Sequence, residues 1–182
     1  MPTIVDKIAQ ESHCLRFDSG YSWILCVEEP VQQQQMNAGF TILLAEDNED
    51  DVFLLKTALD QAGIGHPIQT VTDGEKAISY LKGENEYADR SRYPMPHLFL
   101  LDIKMPRKDG LEVLAWMRGN GDNGLKRLPV IIMSASNMQE DIDRAYELGV
   151  NAYLVKPHAF DDLVKVLKTT TEFWTGAAHP QV

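Results

Sequence analysis

The chain has 182 residues, with 17 Lys and Arg against 27 Asp and Glu, for a formal net charge of -10. That length suits one domain with a real core and some tail, and the negative charge disfavours nucleic acid and anionic membrane as direct partners. No run is long and apolar enough to span a bilayer, and the first residues lack a basic stretch followed by an apolar one, so no secretion signal is read and a cytoplasmic protein is expected.

Residues 1–39 differ from the rest of the chain. Cys14 and Cys26 are the only cysteines. Two cysteines make neither a disulfide framework nor a zinc site without further ligands. His13 adjoins Cys14, but no second His or Cys pair completes a ligand set. Glu28-Glu29-Pro30 leads into Gln32-Gln33-Gln34-Gln35, which has little to bury and reads as a linker. Either Met36 is a natural start and the earlier residues an upstream extension, or Tyr21 to Val27 builds a small docking segment.

From Phe40 the punctuation is regular. Thr41 to Ala45 reads as a buried strand. Asn48 or Glu49 starts a helix with Val52, Phe53, Leu55, Leu59 and Ala62 on its apolar face, and Gly63 ends it. His66 to Val71 is a second strand, and Asp73-Gly74 turns into a helix carrying Ala77, Ile78 and Leu81. The polar segment Lys82 to His97 is longer than a usual connection and reads as an inserted loop or a frayed helix extension. Leu98 to Leu101 is the third strand, followed by a helix marked by Leu111, Val113, Leu114 and Met117. Leu128 to Met133 is the fourth strand; Ile142, Ala145 and Leu148 line a helix closed by Gly149. Ala152 to Val155 is the fifth strand, and Leu163, Val166, Leu167 and Thr170 face inward on the last helix. No internal repeat is found.

Strands alternating with helices imply parallel βαβ units, and right-handed crossovers put helices on both faces of the sheet. The fold class expected is α/β, a flavodoxin-like doubly wound five-stranded parallel sheet. Its strand order 2-1-3-4-5 is carried by analogy. The expected division is an N-terminal extension and linker over 1–39, a domain over 40–174 and a tail over 175–182.

In a parallel sheet the C-terminal ends of all strands share one edge. That edge collects Glu46 and Asp47, then Asp102, Ser134 and Lys156. Singly each has an ordinary reading. Asp102 could cap the helix starting near Asp109, Glu46-Asp47 could be a solvated helix start, Ser134 could be an N-cap near Asn137, and Lys156 could be a surface lysine. Their coincidence at strand ends 1, 3, 4 and 5 is hard to explain by capping. Two unit charges about 4 Å apart repel by roughly 4 kcal/mol at an effective dielectric near 20, so the carboxylates need a cation or a proton. Oxygen-only ligands suit Mg²⁺, and a carboxylate beside Mg²⁺ and a fixed lysine can act as a nucleophile toward a phosphoryl group.

With these residues the pattern resembles the receiver domain of two-component response regulators. The matching stretches are Ala45-Glu46-Asp47-Asn48, Leu101-Asp102-Ile103-Lys104-Met105-Pro106 with Asp109-Gly110, Met133-Ser134-Ala135, and Ala152-Tyr153-Leu154-Val155-Lys156-Pro157. The resemblance covers about Phe40 to Trp174. The insertion before the third strand and the Phe173-Trp174 ending look most like the single-domain regulators paired with bacterial phytochrome kinases. It implies that Asp102 is the phosphoacceptor. It implies Mg²⁺ on Asp47, Asp102 and the backbone carbonyl of Lys104, with Glu46 acting through a water. Lys156 would contact the phosphoryl oxygens, Ser134 would hydrogen-bond them after transfer, and Tyr153 would be the aromatic switch. On spacing alone Tyr153 fits equally a half-buried tyrosine with its hydroxyl in water. The Lys156–Pro157 bond is expected to be cis. Glu46 stands where many members have Asp, and His158 where the family often has an aromatic or apolar residue.

The function implied is a phosphorylation switch fed by the phosphohistidine of a sensor histidine kinase, in the narrower match a phytochrome. It is not an enzyme acting on a separate substrate, though it assists its own phosphorylation and dephosphorylation. No DNA-binding segment follows Trp174, so output is expected through protein contact, dimerisation or phosphorelay. An aspartyl-phosphate hydrolase would need a carboxylic acid two residues past Asp102, where Lys104 stands. A constitutive binding module would not need Asp102, Asp47, Ser134 and Lys156 together. A homodimer through the last helix is expected, because Phe173 and Trp174 extend its apolar stripe; the alternative is that they fold back over the domain's own first helix. Because no site residue lies in 1–35, a chain shortened to begin at Met36 is expected to fold and accept phosphoryl normally. Aggregation, or a large fall in its melting temperature, would show that the N-terminal segment packs on the domain.

Overall fold

The computed structural model describes residues 39–120 and 123–177. The N-terminal features read above, from His13 and Cys14 to Met36, lie outside the described residues. Five strands form one sheet: β1 (Ile42–Ala45), β2 (Ile68–Val71), β3 (Leu98–Leu101), β4 (Val130–Ser134) and β5 (Ala152–Val155). All pairings are parallel, and the order is β2-β1-β3-β4-β5. Six helices connect and follow them: α1 (Glu49–Gln61), α2 (Gly74–Lys82), α3 (Gly110–Asn120), α4 (Asn123–Arg127), α5 (Gln139–Glu147) and α6 (Phe160–Gly176).

The apolar runs of β1, β3 and β4 are buried on both faces, which is why they read as continuous rather than alternating, while the edge strands β2 and β5 are only partly buried. Odd and even positions still separate. Leu43, Phe99, Leu101, Val130 and Ile132 meet α2, α3 and α5 through Ala77, Tyr80, Leu114, Met117 and Ala145. Ile42, Leu44, Leu98, Leu100, Ile131 and Met133 meet α1 and α6 through Leu55, Ala58, Leu59, Leu163 and Leu167. The chain runs from β1 out to β2 and returns on the other side of β1 to β3. The switch point therefore lies between the C-terminal ends of β1 and β3, the crevice where such sheets bind ligands.

Local chemistry sets the helix ends. The Asn48 side chain accepts from Asp50 N and Asp51 N at 2.9 and 3.2 Å, which caps α1. Asp109 and Glu112 form a reciprocal capping box at α3: Glu112 N donates to Asp109 Oδ1 at 2.7 Å and Asp109 N to Glu112 Oε2 at 3.0 Å. Asp102 is therefore not the cap of that helix. Nor does Ser134 cap a helix: it ends β4, and the helix begins later, with Met138 at its N-cap and no side-chain cap.

Several expectations are corrected. The segment 83–97 is an ordered insertion, not a frayed helix. Gly83, at φ 71°, ends α2 in the left-handed region, and Arg90 donates to the carbonyl oxygens of Tyr80 and Leu81, both at 2.8 Å. Tyr80, Tyr87 and Tyr93 pack edge-on and tilted around it, with centroids 5.2 to 6.0 Å apart. The short helix α4 adds to the expected elements. Buried Leu125 anchors it, and Arg118 donates to the carbonyl oxygens of Leu125 and Leu128, each at 3.2 Å. On α6 the buried positions are Leu163, Leu167 and Thr171, while Val166 and Thr170, expected to face inward, are only half-buried. The helix runs to Gly176, two residues into the expected tail. Trp174 packs against the α1–α6 core cluster, whereas Phe173 is 65% exposed. The Lys156–Pro157 peptide bond is trans; the Lys156 side chain is long enough to reach the β1 and β3 ends without a cis turn. Among the described residues no helix is long and apolar enough to cross a membrane.

Gly110 sits where the β3–α3 loop folds back on the strand. Its N–H donates to the Ile103 carbonyl oxygen at 2.9 Å, and an added Cβ would overlap the Asp102 carbonyl oxygen. That contact is backbone and cannot swing aside. Gly110→Ala is expected to lower stability by about 1–3 kcal/mol, read as a lower urea or thermal midpoint. An unchanged midpoint would show that the loop shifts freely.

Candidate functional site

The sheet register brings the polar residues together. Ala45 pairs with Leu101, so the next residue on each strand, Glu46 and Asp102, emerge side by side. Asp102 N donates to the Ala45 carbonyl oxygen at 3.0 Å, and Glu46 N to that of Val71 at 3.0 Å. On the other side Ser134 pairs with Val155, and Lys156 N donates to the Ser134 carbonyl oxygen at 2.8 Å. Each functional side chain thus hangs from the last rung of a ladder built mainly of apolar residues.

Glu46, Asp47 and Asp102 each offer a carboxylate oxygen, and these lie within 4.8 Å of one another. Glu46 and Asp102 are buried, at 2% and 6% exposure, while Asp47 is open to solvent. Asp102 Oδ2 accepts from Lys104 N at 2.6 Å. This bond turns the loop and fixes the carboxylate; Lys104 itself is exposed.

Lys156 is the counter-charge. Its Nζ lies 2.6 Å from Glu46 Oε2, 2.7 Å from Asp51 Oδ2 and 3.3 Å from Asp102 Oδ1. Burial works against its charge. Hydrogen bonds to Asp51 and Glu46 and the field of Asp102 outweigh burial, so its pKa is raised and it stays an ammonium. Burial pushes the Glu46 carboxyl upward, and the Lys156 hydrogen bond draws it back only in part. Among the described residues, Lys156 is thus paired with three carboxylates and a fourth, Asp47, lies beside Glu46 and Asp102, so the carboxylates outnumber the ammonium.

Ser134 is buried at the end of β4, and its Oγ accepts from Ser136 N at 3.3 Å. Tyr153 is half-buried; its hydroxyl donates to the Ser136 carbonyl oxygen at 2.9 Å and also meets Ser134. Burial raises its phenol pKa. Ser136 Oγ donates to Asp141 Oδ2 at 2.5 Å, tying this loop to the first turn of α5. Beside Lys156 lies a pocket of about 240 Å³. Asp51 and Lys156 form its polar side, with Leu54, Val155, Pro157 and His158 around it.

Three contributors escaped sequence reasoning. Asp51 lies in a run of acidic residues with nothing to single it out. Its only signal is spacing, one helical turn beyond Asp47. Buried Asp73 caps α2 by accepting from Lys76 N at 2.8 Å and pairs with Arg107 in the β3–α3 loop. Arg107 sits at φ 68°, an uncommon conformation for a residue other than glycine. The Ser136–Asp141 bond joins residues five apart and carried no motif.

Comparison with known proteins agrees with this arrangement. A family model of the response regulator receiver domain matches residues 42–168. Response regulator Rcp1 of Synechocystis sp. is 38% identical over 140 residues, covering 77% of this chain and 92% of that protein. The crystal structure of the phosphorylated cyanobacterial phytochrome response regulator RcpA is 40% identical with a TM-score of 0.70, covering 78% of this chain and 99% of that one. The Mn(2+)-bound form of response regulator Rcp1 is 37% identical with a TM-score of 0.69, over 78% of this chain and 99% of that one. With this profile match, these relatives and a β2-β1-β3-β4-β5 sheet whose edge gathers the acidic trio and a lysine, the chain belongs to the response regulator receiver family.

Proposed function

We propose that Asp102 accepts a phosphoryl group from the phosphohistidine of a sensor histidine kinase, and that the chain then signals by protein contact. The observation that carries this reading is the placement of Asp102: a buried carboxylate at the sheet's switch point, 3.3 Å from a lysine that stays charged. The transfer is a substitution at phosphorus. An Asp102 carboxylate oxygen forms the new O–P bond as the N–P bond breaks, and the electron pair returns to the imidazole nitrogen of the donor.

The acidic trio fits a hard divalent cation, because every donor is oxygen and the carboxylate charge is under-neutralised. Asp47, Asp102 and the Lys104 carbonyl would hold Mg²⁺, with Glu46 reaching it through a water. When bound, the ion offsets negative charge on the phosphoryl oxygens and on the carboxylates. The similar Rcp1 structure is a Mn²⁺-bound form, which supports a divalent site here. Lys156 orients the phosphoryl oxygens. Ser134 is the hydroxyl that bonds them after transfer, and Tyr153 reports the change through the loop that holds Ser136. The likeness to a phytochrome response regulator favours a phytochrome kinase as donor, acting in the cytoplasm.

Asp102→Asn is expected to abolish labelling by acetyl phosphate, seen as intact mass, while the protein stays folded. Removing Mg²⁺ is expected to do the same to the wild type. Labelling at wild-type level in the variant would overturn the assignment of Asp102.

A second copy of this chain is the partner proposed for α6. Phe173 supports it as a large aromatic 65% exposed near the helix end, while Trp174 serves the chain's own core. A phosphoryl group moves association only through differential affinity for two states, so it should change the dimer constant. Phe173→Ala is expected to weaken self-association in sedimentation, with and without beryllofluoride. A variant as tightly associated as wild type in both states removes this helix from the interface.

A further inference from the structure

Lys156 has three donor protons and three carboxylate neighbours, and they are not equivalent. Glu46 at 2.6 Å is buried; its side chain is 3% exposed. Asp102, the phosphoacceptor of the reading above, is the most distant at 3.3 Å. Asp51 is nearly as close as Glu46, at 2.7 Å, but its side chain is 37% exposed. It belongs to the first turn of α1, at the mouth of the pocket beside Lys156, and is not one of the three metal-ligand candidates.

The ammonium must turn toward phosphoryl oxygens when they arrive, so one tight contact has to be given up. Separating Lys156 from Glu46 would leave a buried carboxylate without its partner, which is costly. Separating it from Asp51 leaves a carboxylate that water can solvate, which costs little. We propose that Asp51 is a positioning residue that holds Lys156 away from the phosphoryl position in the unphosphorylated protein and releases it on transfer. The inference rests on Asp102 as phosphoacceptor. Asp51 takes part in no bond change: with acetyl phosphate, an Asp102 oxygen bonds phosphorus, the P–O bond to the acetyl group breaks, and acetate leaves with the electron pair. Asp51 sets how readily Lys156 meets the incoming group.

Asp50 provides the control. It is the neighbouring carboxylate in the same first turn, exposed, while the ion pairs of Lys156 go to Glu46, Asp51 and Asp102. Asp50→Asn and Asp51→Asn make the same change in net charge and at the helix N-terminus, but only the second releases Lys156. The test is labelling by acetyl phosphate at saturating Mg²⁺, followed by intact mass. Asp51→Asn is expected to be labelled about threefold faster than wild type or more, the range of a half-exposed ion pair, and to lose its phosphoryl group more slowly. Asp50→Asn and the charge-preserving Asp51→Glu are expected to stay near the wild-type rate. Equal rates in Asp50→Asn and Asp51→Asn would assign the effect to bulk charge and overturn the proposal. A slower Asp51→Asn, or an Asp51→Glu as fast as Asp51→Asn, would overturn it too. Wild type that takes no label would bring down the Asp102 reading, and this inference with it. Wild type labelled on Asp102 with no difference among the variants would bring down this inference alone.

Discussion

One ammonium set among four carboxylates governs the site. Lys156 Nζ lies within 3.3 Å of Glu46, Asp51 and Asp102, and Asp47 stands beside two of them. At an effective dielectric near 20, unit charges about 4 Å apart interact by roughly 4 kcal/mol. One cation cannot offset the mutual repulsion of that many anions. The imbalance makes the crevice a receptor for further positive charge, and it keeps Lys156 charged despite burial. In the proposed transfer, the lysine and a divalent ion would both offset the charge of an incoming phosphoryl group, itself anionic.

The fold carries that cluster at the edge of the sheet. Glu46, Asp102 and Lys156 each sit one residue past a strand, so the apolar rungs carry the packing and the polar tips face the crevice. The loop after β3 is held from both sides. Gly110 lets it fold against Asp102, and Arg107 ties it to buried Asp73 at the start of α2. The ion pair joins two strand-end loops, the β3–α3 loop and the β2–α2 turn.

The alternation of strands and helices and the acids at the ends of β1 and β3 were legible because each is a local pattern, the acids following a short apolar run directly. What escaped depended on helix phase or on contacts between distant segments. At about 100° per residue, Phe173 and Trp174 cannot face the same way, so the stripe through Leu163, Leu167 and Thr171 takes Trp174 and leaves Phe173 outside. Arg90 and Arg118 look like ordinary surface cations in the sequence; their work is to satisfy carbonyl oxygens of Tyr80, Leu81, Leu125 and Leu128. Asp51 was hidden by company, the last of five acids in the run from Glu46 to Asp51. Only the position of Lys156 tells it apart.

If Asp102 is phosphorylated as proposed, the β4–α5 loop is the path its hydrogen bonds offer outward. Ser134 Oγ, the hydroxyl at the strand end, accepts from Ser136 N at 3.3 Å and can donate its own proton to a charged acceptor. Ser136 is also bound by the Tyr153 hydroxyl through its carbonyl, and its own hydroxyl holds Asp141 in the first turn of α5. A hydroxyl drawn toward a phosphoryl oxygen would therefore disturb a residue held at its carbonyl and at its side chain. The coupling acts only if the two arrangements of this loop differ in their affinity for the phosphoryl group, because that difference is all the free energy available to shift them. The Ser136–Asp141 hydrogen bond is a contact between that loop and the first turn of α5. It binds the loop to α5, so the loop and the start of that helix respond together.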